Sequence, residues 1–424
     1  MLKARRWLIA LVLAFLLVIW LARSPAFALG VGIFAVAILA SIMLHEIGHF
    51  ATAKAFGVKA TQFFVGFGPT IWSRQRGETE YGVKAFPVGG FVRITGMTNL
   101  EEVDPADESR SLRAKPAWQR VIVLSAGSFM HFVIAFVLLW VLAVGIGTAT
   151  APTSTVVTVV TCVPANAQAA CAPGQKPQSP AQAAGMRTGD KIISVAGVRV
   201  RSYSKLVKQI RTQPPGVPVP VTVLRAGRQF TLTVHLARPR WDVKNGKRVS
   251  FLGVAQPPVY VTAGPIAAVG QAGQLFGTIA SESVTGLARI PCALPVLFSK
   301  NRSSSPCGQI SSVVGAASAT GQVVASGVNW RDTVTRVIGI VIAVNIFVGI
   351  FNLLPLLPLD GGHIAIVLYE RLRAAVARRR GRPDPGLVDI GKLIPVSVGV
   401  FGLLVFLGLL LIAADIVNPL SLTQ

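Results

Sequence analysis

Four long apolar runs, at residues 29–55, 118–148, 334–358 and 394–416, leave this chain few ways to fold. Each reaches the roughly 20 residues that an α-helix needs to cross a hydrocarbon layer, where every backbone N–H and C=O must find its partner inside the chain. A shorter run, 7–22, follows Lys3, Arg5 and Arg6 and precedes Ser24-Pro-Ala-Phe-Ala28, which has the small-x-small pattern of a signal cleavage site. Residues 1–28 are therefore either a first helix that stays or a segment that is removed. Of the 424 residues 52% are apolar and 14% charged, a membrane composition, yet the formal net charge is +24. Nucleic acid could explain that charge, but Lys and Arg sit between the apolar runs and not in one basic domain with interleaved aromatics. Basic loops that orient a membrane protein explain it better, and no nucleic-acid partner is expected.

The charges also give an orientation. Loop 57–116 carries Lys59, Arg74, Arg76, Lys84, Arg93, Arg110, Arg113 and Lys115, and loop 364–393 carries Arg371, Arg373, Arg378, Arg379, Arg380 and Arg382. Short basic loops stay in the cytoplasm. Residues 152–256 then face the outside. Their period-two runs, 219–224 and 230–235, predict a small soluble unit rich in β-strand. Tyr81-Gly-Val-Lys-Ala-Phe-Pro-Val-Gly-Gly-Phe-Val-Arg93 is strand-like and interrupted by Gly89-Gly90, which predicts a β-hairpin. Residues 262–332, rich in Ala, Gly and Ser, predict helices lying on the outer membrane surface, interrupted by the polar stretch 299–306. Cys162, Cys171, Cys292 and Cys307 form no C-x-x-C pair; in an oxidising compartment they pair as 162–171 and 292–307, and otherwise they are free thiols.

The chemistry concentrates in His45-Glu46-Ile47-Gly48-His49, inside an apolar run. Four-residue spacing on a helix puts His45 and His49 on one face, one turn apart, where both can bind one metal ion. Glu46 beside them is placed to take a proton from an attacking water. Two histidines and a glutamate within a span are expensive unless they serve a site or are satisfied by neighbours. A catalytic zinc takes three protein ligands and leaves one position open. Asp360, at the end of an apolar run, is the best third ligand, with Gly361-Gly362 beside it allowing an unusual backbone turn; the alternative is a helix-capping carboxylate.

These residues carry a family resemblance. Asn345-Ile-Phe-Val-Gly-Ile-Phe-Asn352-Leu-Leu-Pro355-Leu-Leu-Pro358-Leu-Asp360-Gly-Gly resembles the N-x-x-P-x-x-x-L-D-G segment of site-2 proteases, the intramembrane zinc metalloproteases, and His45-Glu46-x-x-His49 completes the pair. Gly66-Phe-Gly-Pro69, the hairpin ending at Gly89-Gly90-Phe91 and the single outer unit look like the RseP-type branch, and the likeness runs from residue 29 to about residue 410. It implies that His45, His49 and Asp360 bind Zn2+, that Glu46 is the base, and that Asn352, with Pro355 in the same segment, positions substrate or stabilises the oxyanion. It also implies that the edge at Gly89, Gly90 and Phe91 pairs with an unwound substrate strand. One departure stands out: the family's third segment reads G-P-x-x-N, whereas this chain has Gly127-Ser128-Phe129-Met130-His131. His131 either bonds a neighbouring helix or sits near the metal. Ser179-Pro-Ala-Gln-Ala-Ala-Gly185-Met-Arg-Thr-Gly189-Asp190-Lys-Ile-Ile-Ser-Val-Ala-Gly197 resembles a PDZ domain, which would take an extended peptide or screen access to the membrane site.

The expected fold is thus an α-helical polytopic membrane protein: four core transmembrane helices plus the N-terminal segment, a membrane-associated β-hairpin and an inserted extracytoplasmic α+β PDZ domain. Its parts are the N-terminal segment 1–28, a first half-core 29–151, the PDZ domain 152–256, surface helices 257–332 and a second half-core 333–424. The expected activity is an intramembrane endopeptidase of the cell membrane, with its site near the cytoplasmic side. Its expected substrates are single-span proteins such as anti-sigma factors or remnant signal peptides. The rival readings are an inactive scaffold presenting its PDZ domain, which the intact Glu46 argues against, and a membrane-anchored zincin cutting soluble proteins, which would keep its H-E-x-x-H helix in a soluble domain.

Overall fold

The computed structural model describes residues 24–98, 101–150, 154–163, 178–239, 243–244, 247–256, 259–299, 302, 305, 307–326 and 329–420. The described residues fall into two compact units, one built from 24–141 with 265–420 and the other from 142–264.

Helix α1, Pro25–Ala55, starts earlier than the sequence suggests. Ser24 is its N-cap, with Oγ accepting from Phe27 N at 3.3 Å, and Pro25 occupies the first turn, where a missing N–H costs nothing. The cleavage-like stretch is therefore the cap and first turn of α1; residues before Ser24 lie outside the described ones. Strands β1 (Ala60–Arg76) and β2 (Thr79–Ile94) follow as a long antiparallel hairpin. This corrects the expected hairpin within 81–93. Its turn falls at Gly77, whose φ of +61° suits glycine, while β2 runs unbroken through Gly89-Gly90. Both strands bend, so that Phe63 lies opposite Val92 on one side and beside Tyr81 on the other.

Helix α2, Ala117–Gly145, leads into the second unit. There β3 (Thr148–Thr150) pairs with β12 (Val259–Val261), closing the unit where the chain leaves and returns. Between them lie β4 (Thr158–Val159), α3 (Pro180–Ala183), β5 (Lys191–Val195), β6 (Val198–Arg199), α4 (Tyr203–Thr212), β7 (Pro218–Arg225), β8 (Arg228–His235), β9 (Val243–Lys244), β10 (Lys247–Arg248) and β11 (Val254–Ala255). The main sheet has the order β6-β5-β7-β8, all antiparallel. Alternation places Val219, Val221 and Val223 of β7 inside, against Ile192, Val195, Val234 and, from α4, Leu206 and Ile210. Asp190, only 1% exposed at its side chain, accepts a bidentate pair from Arg225 at 2.8 and 2.7 Å and the Arg187 N–H at 2.9 Å. The Arg225 guanidinium holds this carboxyl below the usual aspartate range.

The first unit resumes with α5 (Pro265–Ala288), α6 (Ile290–Ala293), α7 (Val313–Ala325), α8 (Trp330–Asn352), α9 (Asp360–Arg379) and α10 (Ile394–Val417). Among the described residues four helical segments are long and apolar enough to cross a membrane: Pro25–Ala55, Ala117–Gly145, Trp330–Asn352 and Ile390–Val417. They match the four runs. Helix α9 is a correction, because the basic stretch read as a loop from residue 364 is helical to Arg379. Arg378 and Arg379 complement its C-terminal dipole, and Gly381, at φ +63°, follows its end. Cys292 and Cys307 form a disulfide, as one of the two readings expected; Cys171, in the other expected pair, lies outside the described residues.

Candidate metal centre

Helices α1, α2 and α9 build the site. On α1 the Nε2 atoms of His45 and His49 face each other at 3.1 Å. Asp360, in the first turn of α9, brings Oδ2 to 3.5 Å from His45 Nε2 and 3.4 Å from His49 Nε2. Bonds of roughly 2.0–2.1 Å to a tetrahedral zinc put neighbouring ligand atoms about 3.3 Å apart, so the triangle has the size zinc needs. Asp360 Oδ2 is buried with no hydrogen-bond partner. A buried acceptor left bare costs about 1–3 kcal/mol, and a cation would remove that cost. Among the described residues these three are the group able to hold a metal ion.

The surroundings fix the two imidazoles and the carboxylate. His49 Nδ1 donates to the Val123 carbonyl of α2 at 2.7 Å, which leaves Nε2 as the lone-pair nitrogen of the neutral ring. Helices α1 and α2 touch at glycines. A side chain at Gly48 would meet the Ala126 carbonyl at 2.6 Å, and one at Gly127 would lie 2.3 Å from His49 Nε2 and 2.5 Å from His45 Cε1. Asp360 does not cap α9, since Leu359 holds the N-cap position. Gly361 and Gly362 act differently from the expectation. Neither has positive φ; their missing side chains let the backbone of Leu353–Leu357 lie against α9, where an added Cβ at Gly361 would come within 2.3 Å.

Glu46 joins the triangle, with Oε1 4.0 Å from His45 Nε2. Its other oxygen accepts the Val92 N–H of β2 at 2.9 Å. The hairpin thus holds one carboxylate oxygen and leaves the other toward the histidines. Gly89 and Gly90 are buried on β2 just before this contact, and Phe91 is half-buried, its ring stacked 5.6 Å from that of Phe64. Asn352 ends α8, half-buried, and Pro355 is exposed; among the described residues no hydrogen bond joins Asn352 to the triangle. His131 is buried, its Nδ1 2.8 Å from Asn345 Oδ1 on α8 and its ring 5.1 Å from that of His45. The reading that His131 bonds a neighbouring helix holds, and its ring also stands beside His45. His363 and His235 lie outside the ligand group.

Sequence reasoning missed four supports. Val92 and Val123 act through backbone atoms, which no side-chain pattern reveals. Asn345 and Gly127 were visible within motifs, but their contacts depend on helix packing.

The sequence pattern of Peptidase family M50 matches residues 33–383. This chain belongs to that family. The M50 chain is 35% identical over 415 residues to the zinc metalloprotease Rip1 of Mycolicibacterium smegmatis, covering 94% of this chain and all of that one. It is 36% identical over 409 residues to Rip1 of Mycobacterium tuberculosis, with 94% and 100% covered. A putative zinc metalloprotease of Fusobacterium nucleatum is 30% identical over 338 residues, 80% of this chain and 87% of the relative.

Proposed function

We propose that this M50 peptidase is a multi-pass zinc metalloprotease that hydrolyses peptide bonds of transmembrane segments, with His45, His49 and Asp360 as metal ligands and Glu46 as general base. The observation that carries the reading is the His45–His49–Asp360 triangle, its two histidines on the largely apolar helix α1 and its carboxylate oxygen left bare. Zinc bound there supplies a Lewis acid that polarises the scissile carbonyl and acidifies water. Glu46 takes the water's proton on its free oxygen and returns it to the leaving amine, while the Val92 N–H keeps the carboxylate oriented.

A helical substrate must unwind before its carbonyls can be reached. The edge of β2 around Gly89, Gly90 and Phe91 offers replacement backbone bonds beside Glu46, and Asn352 and Pro355 orient the opened strand. The basic loops favour a site near the cytoplasmic side and an outer position for the second unit. Several features support a PDZ domain there. These are the Ser179–Gly197 sequence, the antiparallel sheet and a cavity of about 180 Å³ lined by Tyr203, Val207, Ile210, Ser250, Leu252 and Val254. Such a groove suits an extended peptide. Single-span proteins already shortened outside, of the anti-sigma factor kind, are the fitting substrates.

The test is cleavage of a single-span substrate in reconstituted vesicles by wild type, Glu46→Gln and Asp360→Ala. Activity surviving in Glu46→Gln removes the enzyme mechanism. Zinc retained in Asp360→Ala removes only that ligand.

A further inference from the structure

Helix α9 has two halves with different company. Its first half packs inward: Val367 is buried in one cluster with Ala53 and Val58 at the end of α1, and with Val123 and Leu124 near the start of α2. That cluster marks the level at which two spanning helices leave the apolar layer. Asp360 lies seven residues before Val367, about 10 Å along the helix at 1.5 Å per residue. From Val367 onward α9 therefore runs at the boundary or beyond it.

The outward face of this second half is amphipathic. Leu368, Tyr369 and Leu372 are 56%, 55% and 63% exposed, and Val376 continues the stripe one turn on. Arg371, Arg378, Arg379, Arg380 and Arg382 are exposed around it. Among the described residues none of these five has a carboxylate within ion-pair distance, although the chain has 17 acidic residues. Glu370, next to Arg371, is turned inward and consumed by Arg120 at 2.7 Å and by the Val388 N–H at 2.9 Å, and Asp384, two residues past Arg382, accepts the Gly386 N–H at 2.9 Å and is in no ion pair among the described residues. An apolar stripe rimmed by unpaired arginines at a bilayer boundary fits one surface chemically, a leaflet rich in anionic phospholipid.

We propose that the second half of α9 and the turn that follows it form an anionic-phospholipid seat, with Leu368, Leu372 and Val376 in the acyl boundary and Arg378, Arg379, Arg380 and Arg382 on headgroup phosphates. Because the same helix carries Asp360 in its first turn, seating its far end steadies the ligand helix, and peptidase activity follows the anionic lipid content. The lipid seat rests on the membrane-spanning reading alone; only its effect on activity rests on the proposed peptidase mechanism.

The test uses the full chain in mixed micelles and in vesicles. Retained phosphatidylglycerol and phosphatidylcholine are counted per protein for wild type, for Glu46→Gln and for a variant with Arg378, Arg379, Arg380 and Arg382 all changed to Gln. Wild type and Glu46→Gln are expected to retain phosphatidylglycerol at least about tenfold over phosphatidylcholine, and the fourfold variant to lose that preference. Wild-type cleavage should rise severalfold when phosphatidylglycerol is added to phosphatidylcholine vesicles, while the fourfold variant keeps its phosphatidylcholine rate and zinc content and does not respond. No lipid preference in wild type, or an undiminished preference in the variant, overturns the seat. Preference without a change in cleavage overturns the link to Asp360. Retention of an acidic soluble protein in place of lipid assigns the arginines to another partner and also overturns it. Glu46→Gln retaining lipid while wild type shows no cleavage would sink the peptidase reading and leave the seat standing.

Discussion

Two buried polar clusters in the same helical unit make opposite use of their atoms. Arg302 and Asp415, with side chains 1% and 2% exposed, pair at 2.6 Å. The guanidinium also donates to the carbonyls of Ala414, Asn418 and Ile310 at 2.8, 2.6 and 2.9 Å. The second Asp415 oxygen takes the Ser312 N–H and hydroxyl, both at 2.6 Å, and the Ser311 hydroxyl at 3.1 Å. In the other cluster Asp360 keeps an oxygen bare between two imidazole nitrogens. A satisfied buried charge holds structure together; an unsatisfied one waits for something to bind. The Arg302–Asp415 cluster pins Arg302, Ile310 and Ser312, near the Cys292–Cys307 disulfide in sequence, to the end of α10. The triangle could be completed by a metal ion.

That contrast can be broken in several ways. The largest effect is expected from Glu46→Gln: cleavage of a single-span substrate falls by about 10²–10⁴-fold while zinc content and thermal unfolding stay near wild type. Equal loss of zinc would mean that Glu46 holds the site together instead of acting as base. Asp415→Ala should show the reverse pattern. Leaving Arg302 buried and unpaired costs about 3–5 kcal/mol of stability in detergent, and the folded fraction still binds zinc stoichiometrically. If Asp415→Ala were as stable as wild type but inactive, the division between the clusters would fail.

Gly127→Ala sharpens the comparison, because it touches only the ligands' clearance. The added methyl collides with both imidazoles, so zinc affinity, measured by competition with a chelator, should weaken by about 10- to 100-fold. The Asp190–Arg225 pair extends the satisfied class to the second unit. Its depressed aspartate contributes stability that is fully present above the ordinary aspartate pKa of about 3.9 and is lost as pH falls through the lower folded value. Protection factors of the β5 and β7 amides in the full chain, taken against intrinsic exchange rates at each pH, should therefore fall only in strong acid. Arg225→Ala should lower those protection factors at neutral pH too, and wild-type protection factors that do not fall in strong acid would refute the linkage. The smallest change is expected from His131→Asn. The amide can replace Nδ1–H toward Asn345, so stability should shift by under about 1 kcal/mol, whereas His131→Leu should cost more; equal melting temperatures for the two would deny the interhelical bond any role.

Much of this molecule was legible in the order of its residues. The spans, the strands at 219–224 and 230–235, and the paired histidines all follow from local periodicity, because a helix or strand faces its surroundings at a fixed repeat. His45, Glu46, His49 and Asp360, which the structure brings together, were singled out because ionisable groups inside apolar runs are conspicuous. The turn at Gly77 was not found, since Gly89-Gly90 looked the better break. The strand passes through them because Gly90 has no side chain to meet Met43 and the Phe64 carbonyl. Arg302 and Asp415 escaped notice as a pair, being 113 residues apart.

Sequence alone determined which segments could enter a bilayer and which residues could ligate a metal, for both are properties of short stretches and side-chain chemistry. Tertiary structure alone decided that Asp360 meets the two histidines, that Val92 holds Glu46, and that α2 comes so close that position 127 has room for no side chain. Those outcomes depend on distances between helices far apart in the chain, which only packing sets.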